Sequence, residues 1–274
     1  MIPAAFEYER ATSPDHALAL LAEHGDDAKL LAGGHSLLPL MKFRLATPAV
    51  IVDIGRLHDL SYVRDGGDHI AIGALTRHRD VEISELINAE AALLAAATRK
   101  VGDPQVRHRG TIGGSIAHGD PASDLPAALI AMRATMVIRG ANGEREVGSD
   151  DFFSGFLETA VSETELLTEI RVPKAAGAGF SFQKFNRRAQ DWAIVGAAVQ
   201  LNGDSVGVGL VNMDSKPIRA SGVEAAVSGG ADPAAAAEVA AEGCEPPADL
   251  NASVEYRQHL ARVLVRRGLE AATA

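Results

Sequence analysis

A single cysteine, Cys244, is all the chain contains. That scarcity excludes an internal disulfide and any thiolate-held metal or iron-sulfur cluster built by this chain alone. Positive charge is also short, with 26 Lys and Arg against 36 Asp and Glu and a formal net charge of -10. Nonspecific nucleic-acid binding depends on clustered cations, so nucleic acid is not an expected partner. No apolar run approaches the roughly 18 residues of a membrane span, and the N-terminus lacks the basic, apolar, small-residue order of a signal peptide. A soluble, cytoplasmic protein with no transmembrane segment is expected. Catalytic signatures are equally sparse. Ser36 and Ser115 lie outside any Gly-X-Ser-X-Gly elbow, and neither Gly-X-Gly-X-X-Gly nor a Walker lysine motif occurs. The nine histidines show no zinc-type spacing, so no metal ligand set and no catalytic side chain is assigned.

What is present is length and glycine. The 274 residues suffice for two domains, or one with a sizeable appendage, and 47% hydrophobic content permits ordinary cores. The segment Ala32-Gly33-Gly34-His35-Ser36 follows an apolar run and leads into Leu37, Leu38, Pro39 and Leu40. It reads as strand, tight loop and first helical turn. Glycine permits positive φ and close ligand approach, and free amides at a helix start favour an anion such as phosphate; a turn that needs glycine for its geometry alone is the other reading. A second segment, Thr111-Ile112-Gly113-Gly114-Ser115, runs on through His118, Asp120, Ser123 and Asp124 to Pro126. Two phosphate-sized glycine segments in one chain point to a ligand with two phosphates. Arg99, Lys100, Arg107, His108 and Arg109 precede the second segment, where they either meet phosphate or are solvated.

In chain order, 6–10 reads as a strand and 15–24 as a helix, opened by Ser13-Pro14 and stopped by Gly25. Strands at 29–32 and 49–54 bracket the first glycine loop. A hairpin at 60–73 precedes helices at 76–87 and 89–101. Residues 102–123, rich in Gly, His, Asp and Pro, are expected to form a long functional loop. A helix at 124–132, capped by Ser123 or Asp124, precedes strands at 135–139, 144–147 and 165–172. Phe152, Phe153 and Phe156 are expected in the core. The small-residue joint 175–179 marks a boundary, followed by three antiparallel strands at 180–186, 193–201 and 206–212. Helices follow at 222–228, 232–241 and 254–272.

The motifs Ala-Gly-Gly-His-Ser-Leu at 32–37 and Thr-Ile-Gly-Gly-Ser-Ile-Ala-His-Gly-Asp-Pro-Ala-Ser-Asp-Leu-Pro at 111–126 occur in order about eighty residues apart. Together they resemble the FAD-binding subunits of the molybdenum hydroxylases, the xanthine dehydrogenase family. Within it the chain is most similar to the medium subunits of aerobic carbon monoxide dehydrogenases. The resemblance covers the whole chain and implies an α+β fold. A two-lobed FAD-binding domain of the vanillyl-alcohol oxidase type, residues 1–55 and 56–176, would be followed by a flavin-covering C-terminal domain, 177–274, with a three-stranded antiparallel sheet and helices.

Carried over, the resemblance implies that Lys29, Ala32, Gly33, Gly34, His35 and Ser36, with Leu37 beside them, line the pyrophosphate and ribityl side through backbone amides. Thr111, Ile112, Gly113, Gly114 and Ser115 would hold the other side of the pyrophosphate, with His118 a donor to phosphate. Asp124 would reach a ribose hydroxyl or a neighbouring polar group, and Leu167 would pack near a ring. Lys184 and Trp192 fall in a stretch near the isoalloxazine, with Trp192 the candidate aromatic against it; a core tryptophan is the plainer alternative. The implied activity is that of an oxidoreductase subunit. It would carry electrons from the two [2Fe-2S] clusters of a small subunit, partnered by a large molybdenum-cofactor subunit, to an external acceptor such as a quinone. A dimer of heterotrimers and membrane contact only through the complex are implied. A sister dehydrogenase acting on an N-heterocycle, aldehyde or aromatic thioester, a flavin-free assembly protein and a self-contained flavin oxidase are the competing readings.

Overall fold

The computed structural model describes residues 2–274. Strand β1 (Glu7–Arg10) leads into α1 (Pro14–His24), which Ser13 caps by accepting from the His16 amide. Then come β2 (Ala28–Leu31), α2 (Leu37–Lys42) and β3 (Val50–Asp53). The three strands form a parallel sheet in the order β1-β3-β2. Helix α1 buries Ala17, Leu20 and Leu21 against Val50 and Val52, so the apolar face expected of this helix supplies a small core of its own.

The next stretch builds a larger body. Strands β4 (Val63–Asp65) and β5 (His69–Gly73) form the expected hairpin. Helices α3 (His78–Ile83), α4 (Glu85–Glu90) and α5 (Ala92–Thr98) follow. The single helix expected over 76–87 is broken at Ser84, which turns extended and accepts from the Ile87 amide to start α4.

The long loop expected over 102–123 is instead largely helical, with α6 (Pro104–Arg109) and α7 (Ile112–His118). Asp103 caps α6 by accepting from the Val106 amide at 2.9 Å, with Pro104 in the first turn. Thr111 caps α7, and the glycine pair lies within that helix, where Gly113 serves close packing. A Cβ on Gly113 would stand 2.5 Å from the Cβ of Ala74. The body continues with α8 (Asp124–Ala131), β6 (Thr135–Gly140), β7 (Gly143–Gly148), α9 (Ser149–Phe152), β8 (Phe153–Gly155), β9 (Glu158–Thr159) and β10 (Leu166–Pro173). Its sheet runs β4-β5-β10-β6-β7 and packs on α5 and α8. Phe152 and Phe153 are buried edge to face in this core, but Phe156 is exposed at the β8–β9 turn, contrary to expectation.

Strands β11 (Gly179–Phe185), β12 (Val195–Asn202) and β13 (Ser205–Val211) pair antiparallel as expected, and a short β14 (Ile218–Arg219) adds a fourth strand on the far side of β13. Helices α10 (Ser221–Ser228), α11 (Pro233–Ala237) and α12 (Val254–Thr273) complete the chain. Helix α12 covers one face of this sheet, burying Leu260, Leu264 and Val265 with Val195, Ala197 and Val199. The other face lies on α8 with nothing between the backbones: a Cβ at Gly209 would stand 2.0 Å from the carbonyl oxygen of Ala127. That contact fixes the last sheet against the helix that starts at Asp124.

Candidate functional site

One cavity of about 560 Å³ gathers residues from the three larger sheets and from the β8–β9 pair. Lys29, Ala32, Gly33, Gly34, His35, Ser36 and Leu37 line it from β2 and the first glycine loop. Thr111, Gly113, Gly114, Ser115 and His118 line it from α7 and its cap. Asp124, Leu167, Lys184 and Trp192 complete the set anticipated from the sequence. Ile112 is the exception. Its side chain is fully buried in the core of the second body and does not line the cavity, because residues 112 and 116 face inward on the helix that replaces the expected loop.

The two glycine segments do different work. After β2 the chain turns at Gly34, whose φ of 79° is left-handed and suits glycine. Among the described residues the amides of Gly33, Gly34, His35 and Ser36 have no acceptor, so consecutive N–H groups remain for a ligand anion. In the second segment the amides are already engaged. Ile112 donates to the Thr76 carbonyl at 3.0 Å, Gly113 to that of Ala74 at 2.8 Å, and Gly114 to the Thr111 hydroxyl oxygen at 3.2 Å. That segment therefore offers a ligand hydroxyls, with no further free amide at 112–114. The Ser115 and Ser123 hydroxyls lie 3.3 Å apart on the cavity wall.

The lining also holds a buried ion pair. The Lys184 ammonium donates to Asp124 Oδ2 at 2.7 Å and to the Lys100 carbonyl at 3.0 Å, and both side chains of the ion pair are buried. Burial outweighs the lysine and pushes the Asp124 carboxyl up to about 6. Asp124 Oδ1 has no hydrogen-bond partner, and neither has Asp191 Oδ2, whose nearest cation is the Arg187 guanidinium at 3.8 Å; both residues are in the lining. Near the first loop, burial and the cations Arg109 and Arg77 hold His35 below the usual imidazole range. His118 is lowered by burial alone, against the pull of Asp120.

Several lining residues had no signal in a motif. His78 is buried, lowered to about 4 by desolvation and then by His35 and nearby arginines, and leaves Nδ1 without a partner. Val106 and Gly110 reach the cavity because α6 is a helix, which the Asp103-Pro104 pair could have signalled. Asp191 comes from the connection between β11 and β12 and Thr159 from the short strand β9, neither with a sequence mark. Within the basic cluster before α7, Arg107 is engaged internally: it donates to Glu82 Oε2 at 3.0 Å and to the Val101 carbonyl at 3.0 Å. Trp192 is 56% exposed, which rules out its role as a core tryptophan.

The donors and acceptors fit a dinucleotide with a diphosphate. Four free amides suit the anionic centre, unpartnered carboxylate oxygens suit hydroxyl or amide donors, and the volume lies in the range of cofactor pockets. Comparison with known proteins agrees. Residues 4–175 match the family described as the FAD binding domain in molybdopterin dehydrogenase, and residues 180–272 match the CO dehydrogenase flavoprotein C-terminal domain. The chain is 43% identical to the carbon monoxide dehydrogenase medium chain of Hydrogenophaga pseudoflava, over 100% of this chain and 99% of that one. It is 38% identical to the 6-hydroxypseudooxynicotine dehydrogenase complex subunit alpha of Paenarthrobacter nicotinovorans, over 98% and 95%. The solved carbon monoxide dehydrogenase from Hydrogenophaga pseudoflava superposes with a TM-score of 0.94 at 44% identity, covering 100% of this chain and 99% of that one. The chain therefore belongs to the FAD-binding medium subunits of the molybdenum hydroxylase family, an oxidoreductase subunit whose cofactor is FAD.

Proposed function

We propose that this chain is the electron-transfer subunit of a complex oxidising carbon monoxide. In this reading a large subunit holds the molybdenum cofactor, a small subunit holds two [2Fe-2S] clusters, and the three assemble as a dimer of heterotrimers. Electrons reach this subunit from the small one and leave it to an external acceptor such as a quinone. FAD supplies the chemistry that takes up and releases electron pairs. The complex would work in the cytoplasm, with contact to the inner membrane face only through its assembly; no helix among the described residues is long and apolar enough to cross a membrane.

The observation that carries the FAD site is the convergence of both glycine segments on one cavity together with four unpaired amides. The amides of 33–36 would bind the diphosphate, Ser115 and Ser123 would orient it, and the Asp124–Lys184 pair would fix a polar edge at the other end. Residues 1–55 and 56–176 would hold FAD between them, and 177–274 would cover it through Lys184 and Trp192. A single cysteine fits a division of labour in which the clusters sit on another chain.

Purified protein should show flavin absorption and release FAD on denaturation; a colourless chain that cannot be reconstituted overturns the site. The substrate is tested separately by purifying the chain with its large and small subunits and measuring dye reduction. Reduction with carbon monoxide supports the first reading. Reduction only with an N-heterocycle or an aldehyde favours a sister dehydrogenase, the reading that the 38% relative acting on 6-hydroxypseudooxynicotine supports.

A further inference from the structure

Two consecutive carbonyls, those of Ala193 and Ile194, are each held by a side chain from a distant element. The Asn212 side-chain amide donates to Ala193 O at 2.9 Å, and the Arg257 guanidinium on α12 donates to Ile194 O. The Ile194 amide in turn donates to the Phe185 carbonyl at 2.8 Å. The connection between β11 and β12 is thus anchored where it returns to the sheet. Trp192 stands immediately before these anchors. Its side chain is more than half exposed, so burial does not fix it and its placement depends on the backbone that carries it.

Asn212 is placed to couple two walls of the cavity. It follows β13 in a left-handed conformation, φ 59°, which asparagine tolerates better than most residues. Its own amide donates to the Pro121 carbonyl at 2.8 Å, in the turn that leads to Ser123 and Asp124. One residue outside the cavity lining therefore grips the turn behind the second glycine segment with its backbone and Ala193, the residue after Trp192, with its side chain.

We propose that Asn212 is a positioning residue which, through the Ala193 carbonyl, sets Trp192 against the cavity and so against the bound cofactor. This rests on the reading that FAD fills the cavity. Arg257 is the second anchor, but it is almost fully buried and paired with Asp249 at 2.8 Å, so replacing it disturbs the C-terminal core as well. Asn212 can be altered more cleanly. Asn212→Gly keeps the left-handed backbone and the bond to Pro121 and deletes only the side-chain donor. Asn212→Asp keeps the shape but faces the Ala193 carbonyl with an acceptor.

Trp192 is the one tryptophan of the chain, so intrinsic emission reports it alone. In full-length protein stripped of FAD, both variants should lower the anisotropy of tryptophan emission and move its maximum to the red, with far-ultraviolet circular dichroism unchanged. In FAD-loaded protein, both should lose part of the quenching of tryptophan emission by the flavin that the wild type shows. Emission and anisotropy unchanged in both stripped variants overturn the positioning role. Absence of flavin quenching in the wild type, with the stripped variants still altered, overturns instead the placement of FAD beside Trp192.

Discussion

A Cβ on Gly33 would lie 2.4 Å from the carbonyl oxygen of Arg109 and 2.9 Å from the Cα of Gly110, so the first glycine loop rests directly on the backbone entering the second segment. Gly114 differs: a Cβ there meets the Thr111 hydroxyl at 2.7 Å and otherwise only Ala32 Cβ at 3.9 Å. The sequence alone predicts that bulky replacements at either glycine cost FAD retention more than stability. Packing separates them. Gly33→Ala must move backbone and should cost ~1–3 kcal/mol, the usual range for overpacking, together with FAD. Gly114→Ala should cost about 1 kcal/mol through its disturbed cap while still lowering FAD content. Thermal melts paired with FAD-to-protein ratios check this, and equal melting temperatures for the two variants would refute it.

Much of this was legible where signals were local. Ser13-Pro14, Gly25 and the alternating strands placed the first sheet, because caps and breakers act within a few residues. The second segment was harder. Gly113 and Gly114 read as helix breakers, yet the helix forms because Thr111 caps it and the carbonyls of Ala74 and Thr76, more than thirty residues upstream, take its first amides. The four-residue spacing of Ile112 and Ile116 was the available hint of an inward helical face. His78 and Asp191 carried no comparable sign, since their place in the lining depends on how separate segments meet.

Asp124 should make stability fall as pH rises over one window. Its carboxyl sits near 6 when folded against 3.8 as the ordinary value, so between these the native state holds the more protons. Stability then declines from about pH 4 to about pH 6 on account of this group. Asp124→Asn should remove that component, leaving the pH profile of the variant more favourable in slope than the wild type. Urea midpoints across the window measure the difference, and parallel profiles would refute the assignment.

His78 should act with the opposite sign. Held near 4 when folded against 6.5 as the ordinary value, it keeps the native state the less protonated between them. The stability it confers in the neutral form is present above pH 6.5 and is lost as pH falls toward 4. Replacing the imidazole by the amide of His78→Asn should lower stability at neutral pH and flatten the acid-side decline. The same denaturation series reads this, and an acid limb as steep in the variant as in the wild type would count against it.

FAD binding should stabilise the fold through the cavity rather than through Trp192 packing. A ligand at a hundredfold over its Kd adds about 2.7 kcal/mol, and at ~2–4 °C per kcal/mol for a chain of this size the loaded protein should melt roughly 5–10 °C above the stripped one. The Trp192 side chain is 56% exposed, so Trp192→Ala should leave the stripped protein within about 0.5 kcal/mol of wild type. The variant should nonetheless recover less of the shift when FAD is added at the same concentration, because in the proposed site Trp192 lies against the ligand. Paired melts with and without FAD distinguish the two contributions. An equal drop in both states would make Trp192 a structural residue, and no shift with FAD in the wild type would remove the cofactor from this cavity.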